Sequence, residues 1–542
     1  METVPPEGLE TCIFMRSKLL LILLLYCPGN LIYAQGIATL QVKANPEITF
    51  QLIDGFGASD AWRTQFVGTY WPIEKRNQIA DLLFSQEFKE DGNPMGIGLS
   101  LWRFNLSAGT AEQGDSSEIG SSNNPWRRGE CFLNADGTYD WNKHEGQRWF
   151  LEAAKERGVE KLLAFPNSPP VHYTANGKGF APKGVIHLNL KPGYMDDYAR
   201  YMAEVVEHFN EEGIFFDYLS PVNEPQWEWD GHSQEGTPAL NEEIYALTRY
   251  LSDELASRNL LTQIVITEAG TIGHAAMDMS KLGMPSYGQD MQAQFFFSAD
   301  SPFYIGEFPN VELTISAHSY HSVWPLKEQV SNRSLVNMML KMANPDLGYW
   351  MSEYCILQEN DELGGGGGRD LGMNTALYVA RIIHHDMVLT NAKSWQWWTA
   401  ITQVDFKDGL VYLDDGSEGE TGKMGGHVES LQYDGEVRES KLLWVLGNYS
   451  RFVRPGMIRI KCELSEEQSP ENGVLVSAYK DPVKGTLVYV FVNLSEQTVN
   501  VDTGGGDKAR TYTTDEQQSM GFSSQLLNNI SLPSRSVVTV IR

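Results

Sequence analysis

Lys161-Leu-Leu-Ala-Phe-Pro-Asn167, the amphipathic stretch Tyr194–Glu212 and Phe216-Asp-Tyr-Leu-Ser-Pro-Val-Asn223 read in turn as strand, helix and strand. Such a unit carries the chain back through its helix, so its two strands run parallel. Outward from this unit the same alternation predicts strands at Gln51–Ser59, Gly96–Asn105, Gln263–Glu268, Leu313–Tyr320, Gly348–Glu353 and Ser394–Thr399. Helices are expected over Trp149–Arg157, Asn241–Arg258, Ser334–Ala343 and Leu371–Leu389, each just before a strand. Eight such strands predict an α/β fold, a closed (β/α)8 TIM barrel whose reactive residues sit at the C-terminal strand ends. A doubly wound open sheet is the rival, but no glycine fingerprint opens its first βα turn.

After about Gly456 the helical period disappears. Gly473–Tyr479, Gly485–Val492 and Arg535–Ile541 are β-branched and alternating or apolar, with Gly, Pro and Asn between them, as in an antiparallel β-sandwich. Gly36–Val42 has the same character and is expected to complete that sheet from the N-terminal side. The expected division is therefore 1–34 signal segment, 35–50 strand of the sandwich, 51–455 barrel and 456–542 sandwich. Asp361–Arg369, with glycines from Gly364 to Gly368, and Asp414–Gly426 are expected to be loops.

The 542 residues carry 42 Lys+Arg against 70 Asp+Glu, a formal charge of −28. That charge repels phosphate and the basic residues form no stripe, so nucleic acid is not an expected partner. A neutral sugar is indifferent to it. Arg16-Ser-Lys18, the seven-residue apolar run Leu19–Leu25 and the small residue Ala34 before Gln35 read as a secretory signal, with Met15 as the expected true start. The run falls short of the about 20 residues a bilayer span needs. A lipid anchor at Cys27 is disfavoured by the bulky Tyr26 before it. A secreted or periplasmic monomer without stable membrane insertion is expected. Cys131, Cys355 and Cys462, the cysteines remaining after cleavage, make neither a disulfide framework nor a zinc pattern.

Two carboxylates end strands. Glu224 lies in Leu219-Ser-Pro-Val-Asn-Glu-Pro-Gln-Trp227, where Pro225 removes a donor and stops the strand, and Glu353 lies in Gly348-Tyr-Trp-Met-Ser-Glu-Tyr354. Only a closed fold brings residues this far apart together, and the fourth and seventh strands of a barrel face one another. A paired-carboxyl mechanism needs one group protonated and one ionised, a difference that burial and mutual repulsion supply. Tryptophans at strand ends, among them Trp62, Trp102, Trp227, Trp229 and Trp398, could stack on the C–H faces of sugars. In Trp395-Gln-Trp-Trp398 the alternation of a strand puts Trp395 and Trp397 on one side and Gln396 and Trp398 on the other.

The strings Asp54-Gly-Phe-Gly-Ala-Ser-Asp60, Leu101-Trp-Arg-Phe-Asn105, Asn223-Glu-Pro225, Ala317-His-Ser-Tyr320, Ser352-Glu-Tyr354 and Ser450-Arg-Phe-Val-Arg-Pro-Gly456 resemble glycoside hydrolase family 30. Gly98–Asn105 and Phe165-Pro-Asn-Ser-Pro-Pro170 are similar to its endo-β-1,6-galactanase-like branch. The resemblance runs from about Gly36 to the C-terminus. It implies a retaining hydrolase with Glu224 as acid/base and Glu353 as nucleophile, and a polysaccharide or oligosaccharide as substrate. Asn223 would bond the 2-hydroxyl of the reacting sugar, and Arg103 and Tyr320 would hold the nucleophile. Asp60, Asn167 and Trp398 would line the innermost sugar site. At Asn167 some relatives resembling this chain carry Trp, so their sugar preference does not transfer directly. Trp62, Asn105, Trp227 and His318 complete the expected substrate-binding set. No cofactor and no metal are expected.

Glu268, in Ile266-Thr-Glu-Ala-Gly270, is the competing carboxylate, and it is read as lining the cleft or pairing with Arg103. His384-His-Asp386 is read as a capping or solvated cluster. The alternatives to a galactanase are a xylanase or β-1,6-glucanase of the same family, a non-catalytic polysaccharide-binding protein, and adhesion through the sandwich alone.

Overall fold

In the computed structural model, residues 39–120, 125–284, 286–416 and 430–542 are described. The signal segment, Met15, Cys27 and Ala34 lie outside them, as does part of the loop Asp414–Gly426. Eight parallel strands close a barrel: Gly55–Ser59, Leu101–Leu106, Lys161–Pro166, Tyr218–Leu219, Gln263–Ala269, Val311–His318, Gly348–Glu353 and Ser394–Trp397. Closure comes where the first strand pairs with the eighth, Gly57 opposite Gln396. A Cβ on Gly57 would lie 2.8 Å from the Leu101 carbonyl oxygen, so the residue must be glycine for the first and second strands to approach.

Inside the barrel, Leu101, Leu163, Tyr218, Val265 and Trp350 form an apolar floor. Side chains two residues further along a strand share its face and lie about 6–7 Å higher. That step lifts Leu101 to Arg103, Tyr218 to Ser220 and Trp350 to Ser352, so three polar side chains sit directly above the floor, with Phe165 above Leu163 beside them. A much larger apolar core lies between the barrel and its helices.

The fourth strand is shorter than the expected Phe216–Asn223, because Pro221 has no N–H to give and the chain leaves the sheet after Ser220. The expected first strand is two pieces. Leu40–Leu52 belongs to another sheet, and the chain turns at Ile53 and Asp54, whose N–H groups donate to Met457 and Lys393 carbonyls at 2.8 and 2.7 Å. The helix expected over Ser334–Ala343 begins earlier, at Leu326 after Pro325; its first two turns are mostly polar in sequence, yet Leu326, Gln329 and Arg333 are buried. The helix before the eighth strand runs Met373–His385 and ends in a wider turn, Asp386–Thr390. His384, His385 and Asp386 are buried there rather than solvated, and Asp386 accepts from Arg333 Nε at 2.7 Å and Trp395 Nε1 at 3.0 Å.

The C-terminal strands form the expected antiparallel β-domain as one nine-stranded sheet. Leu40–Leu52 lies within it, antiparallel to Ile458–Leu464 on one side and parallel to Val499–Asp502 on the other. The sheet folds over itself, so Leu40, Val501, Ile530 and Leu532 share a core with Val476, Phe491 and Val538. The opposite faces of the same strands, including Leu475, Tyr479 and Val490, pack into the barrel's core. Coverage on both faces explains why these strands read as nearly continuous apolar runs. Among the described residues no helix is long and apolar enough to cross a membrane.

Candidate active site

At the C-terminal mouth of the barrel opens a cleft of about 440 Å³. Asn223, Glu224, Trp227, Tyr320, Glu353 and Trp398 line it. Two backbone devices aim the carboxyls. Glu224 has φ +45°, a left-handed conformation uncommon outside glycine and here held by the turn at Pro225. Its N–H donates to the Glu268 carbonyl at 2.8 Å, and its own carbonyl accepts Trp229 Nε1 at 2.9 Å. Between the sixth and seventh strands the register shifts after Ala317, which sets His318 opposite Glu353, and a bulge of this kind re-aims side chains. Oxygens of Glu224 and Glu353 lie within 4.8 Å of each other.

His318 bridges the carboxyls. Its Nδ1 lies 2.9 Å from Glu224 Oε1 and its Nε2 3.0 Å from Glu268 Oε2. Burial opposes a charge on this imidazole, but Glu353, Glu224 and Glu268 together outweigh it and lift the group to about 10. Burial raises Glu224 above the ordinary carboxylate range; His318 opposes that, and the charge on Glu353 adds to it. Glu353 is held by Arg103 Nη1 and by the Tyr320 hydroxyl, which donates at 3.0 Å. Burial keeps the Tyr320 phenol far above its usual range, so it remains a donor. Arg103 also donates to Asn223 Oδ1 at 3.0 Å and lies 3.7 Å above the Phe165 ring.

The remaining expected residues lie behind the cleft surface. Asp60 accepts the Asn105 N–H at 2.9 Å and the Gln147 amide at 3.1 Å. Asn105 is spent inside, accepting from Ser107. Trp62 is fully buried and meets Trp398 edge-on at 5.5 Å. Asn167 is buried, yet neither of its amide atoms has a hydrogen-bond partner. Trp395 and Trp397 stack at 6.1 Å away from the cleft, on the other side of the strand from Trp398. Trp102 packs in the core against Phe84.

Sequence reasoning did not single out Arg63, Arg127, Gln234 or Asp408, which also line the cleft. Arg63 pairs with Asp408 at 2.9 Å, and Arg127 sits 5.3 Å over the Trp62 ring and donates to Gln234 at 3.3 Å. Arg63, Gln234 and Asp408 come from loops and Arg127 from the single 3-10 turn Pro125–Arg127, where no periodicity tells direction. The one available signal was the nearness of Arg63 to Trp62 in the chain.

Residues 39–412 match the profile of O-glycosyl hydrolase family 30. An endo-β-1,6-galactanase of Hypocrea rufa is 24% identical over 527 residues, 91% of this chain and 94% of that protein. Among solved structures, a conserved exported protein from Bacteroides fragilis is 34% identical with a TM-score of 0.85, covering 93% of this chain and 100% of that one. The catalytic domain of xylanase C from Talaromyces cellulolyticus shares the fold at 21% identity and a TM-score of 0.65, covering 93% of this chain and 100% of that one.

Proposed function

The chain belongs to O-glycosyl hydrolase family 30 and is a retaining glycoside hydrolase, and from that premise we propose that it is a secreted, monomeric endo-β-1,6-galactanase in which Glu224 is the acid/base and Glu353 the nucleophile. The observation that carries the site assignment is the approach of the two carboxyls to within 4.8 Å at the cleft floor. Retaining pairs sit about 5–5.5 Å apart and inverting pairs at about 6.5–9.5 Å to admit a water, and carboxyls whose oxygens come this close favour the shorter class. The Hypocrea rufa relative supports the substrate. The basic and apolar stretch Arg16–Leu25 supports export. The catalytic unit would span 51–455, with 456–542 and the strand at 35–50 as its β-domain.

Glu224 gives its proton to the leaving glycosidic oxygen as a Glu353 oxygen attacks the anomeric carbon, forming a glycosyl ester. Glu224, now a carboxylate, takes a proton from water, whose oxygen displaces Glu353 and releases the sugar with its original configuration. Asn223, its amide oxygen held by Arg103, offers its NH2 to the sugar 2-hydroxyl, a bond that strengthens as positive charge grows at the neighbouring carbon. Trp398 serves as the stacking platform. Asn167, Asp60 and Asn105 shape the innermost site from behind it, with Trp62 backing Trp398 and Trp227 bordering the cleft.

The test joins two measurements. Glu353→Gln should abolish turnover, while Glu224→Gln should still cleave aryl glycosides whose leaving group needs no proton. Wild-type enzyme on β-1,6-galactan, β-1,6-glucan and xylan should release a ladder of oligosaccharides from the galactan alone. Near wild-type rates in Glu353→Gln would refute the site, and cleavage of another polymer instead would refute the substrate. Binding without release of reducing ends would favour a capture protein.

A further inference from the structure

We propose that Glu268 is a positioning residue of this site, a buried carboxylate that matches the charge of Arg103 and His318 and so leaves the cluster's remaining proton on Glu224. The inference rests on the double-displacement reading and adds to it a third carboxyl that never touches substrate. Glu268 is fully buried below the cleft, at the end of the fifth strand. Its Oε2 accepts from Arg103 Nη2 at 3.1 Å, His318 Nε2 at 3.0 Å and Ser352 Oγ at 2.7 Å, and its Oε1 accepts from Ser220 Oγ at 2.8 Å. Ser316 Oγ accepts its N–H at 2.9 Å, and its φ of +51° turns the side chain inward beneath His318. Four donors from the second, fourth, sixth and seventh strands thus converge on one carboxylate. Such a group is built to stay ionised rather than to exchange protons with a ligand.

The charged groups facing one another here are Arg103, His318, Glu224, Glu268 and Glu353; the buried phenols of Tyr320 and Tyr349 stay neutral. Two cations against Glu268 and Glu353 leave no net charge, and a third ionised carboxyl would add an unpaired one in a buried site. Arg103 and His318 outweigh burial and hold Glu268 at about 2. Without the charge on Glu268, the two cations would draw the proton off Glu224, or His318 would release its own. Either way the acid–base set surrenders a proton at lower pH, and the macroscopic titration belongs to the set.

The experiment compares wild type, Glu268→Gln and Glu268→Asp on β-1,6-galactan across pH, with Glu353→Gln in the same assay. In Glu268→Gln the alkaline limb of kcat/KM should move down by about 1 pH unit or more; Glu268→Asp, which keeps the charge, should retain the wild-type limb. A slower Glu268→Gln with an unmoved limb would reduce Glu268 to a structural part and overturn the inference alone. Activity in Glu353→Gln would instead bring down the underlying reading, and this one with it. A readout independent of substrate and of the variant's folding is the His318 imidazole signal by NMR, identified by its loss in His318→Asn. In wild type it should remain that of an imidazolium to about pH 8, and a neutral ring at pH 7 would overturn the inference.

Discussion

Asp60 is 1% exposed, and burial lifts its carboxyl to about 8 against its two hydrogen-bond donors. In the unfolded chain the same group titrates near 3.8. Between those values the folded protein binds a proton that the unfolded chain has lost, so Asp60 makes stability fall as pH rises, by at most about 1.4 kcal/mol per unit. Asp60→Asn removes that slope, and its melting temperature should decline less than that of wild type between about pH 5 and 8. Parallel curves would mean that Asp60 is ionised in the fold. Glu235, buried and lifted to about 7, tilts both proteins in the same direction, while Glu268 adds stability that is lost only as pH falls from its ordinary 4.5 toward 2. Glu224 and Glu353 stood out in the sequence because each ends an apolar run beside a proline or an aromatic. The Arg63–Asp408 pair had no such frame, since its members approach only when the loops after the first and eighth strands meet.

Among the elements, the helix Lys441–Ser450 shows how one side chain sets a boundary. Ser440 Oγ accepts the Leu443 N–H at 3.0 Å and donates to the Leu410 carbonyl at 2.8 Å, capping the helix and tying it to the strand-end loop. Ser440→Ala should cost about 1–2 kcal/mol in urea unfolding, with Ser440→Thr recovering most of it; an unchanged Ser440→Ala midpoint would show the cap to be idle. This helix was not foreseen, because nearly all its residues are buried between barrel and sheet and an apolar run on every side has no readable period. By contrast Tyr194–Glu212 was legible, as its polar face meets water, and it is observed as Met195–Glu211. The seventh strand was read to the residue for a different reason: its apolar run is short and ends at a carboxyl.

For the whole molecule, the decisive fact is that Leu40–Leu52 lies inside the nine-stranded sheet with a partner on each side. Residues 456–542 produced alone would lack that strand and would expose Leu475, Tyr479 and Val490, which now pack against the barrel. The fragment should therefore be unfolded or aggregated by circular dichroism and sedimentation, and a cooperative melt from it would contradict the shared core. The barrel was legible because its repeat is regular. That the second sheet is a single folded ribbon was not, because pairing across such a gap leaves no mark on local composition. The same insertion also orders events during synthesis. Leu40–Leu52 leaves the ribosome about 400 residues ahead of Ile458–Leu464, and until then both its hydrogen-bonding edges are unclaimed. The barrel can close while that strand waits, so the final seam of the protein is sewn only when its tail arrives, and whatever shields the waiting edges in the interval governs how much chain is lost to aggregation.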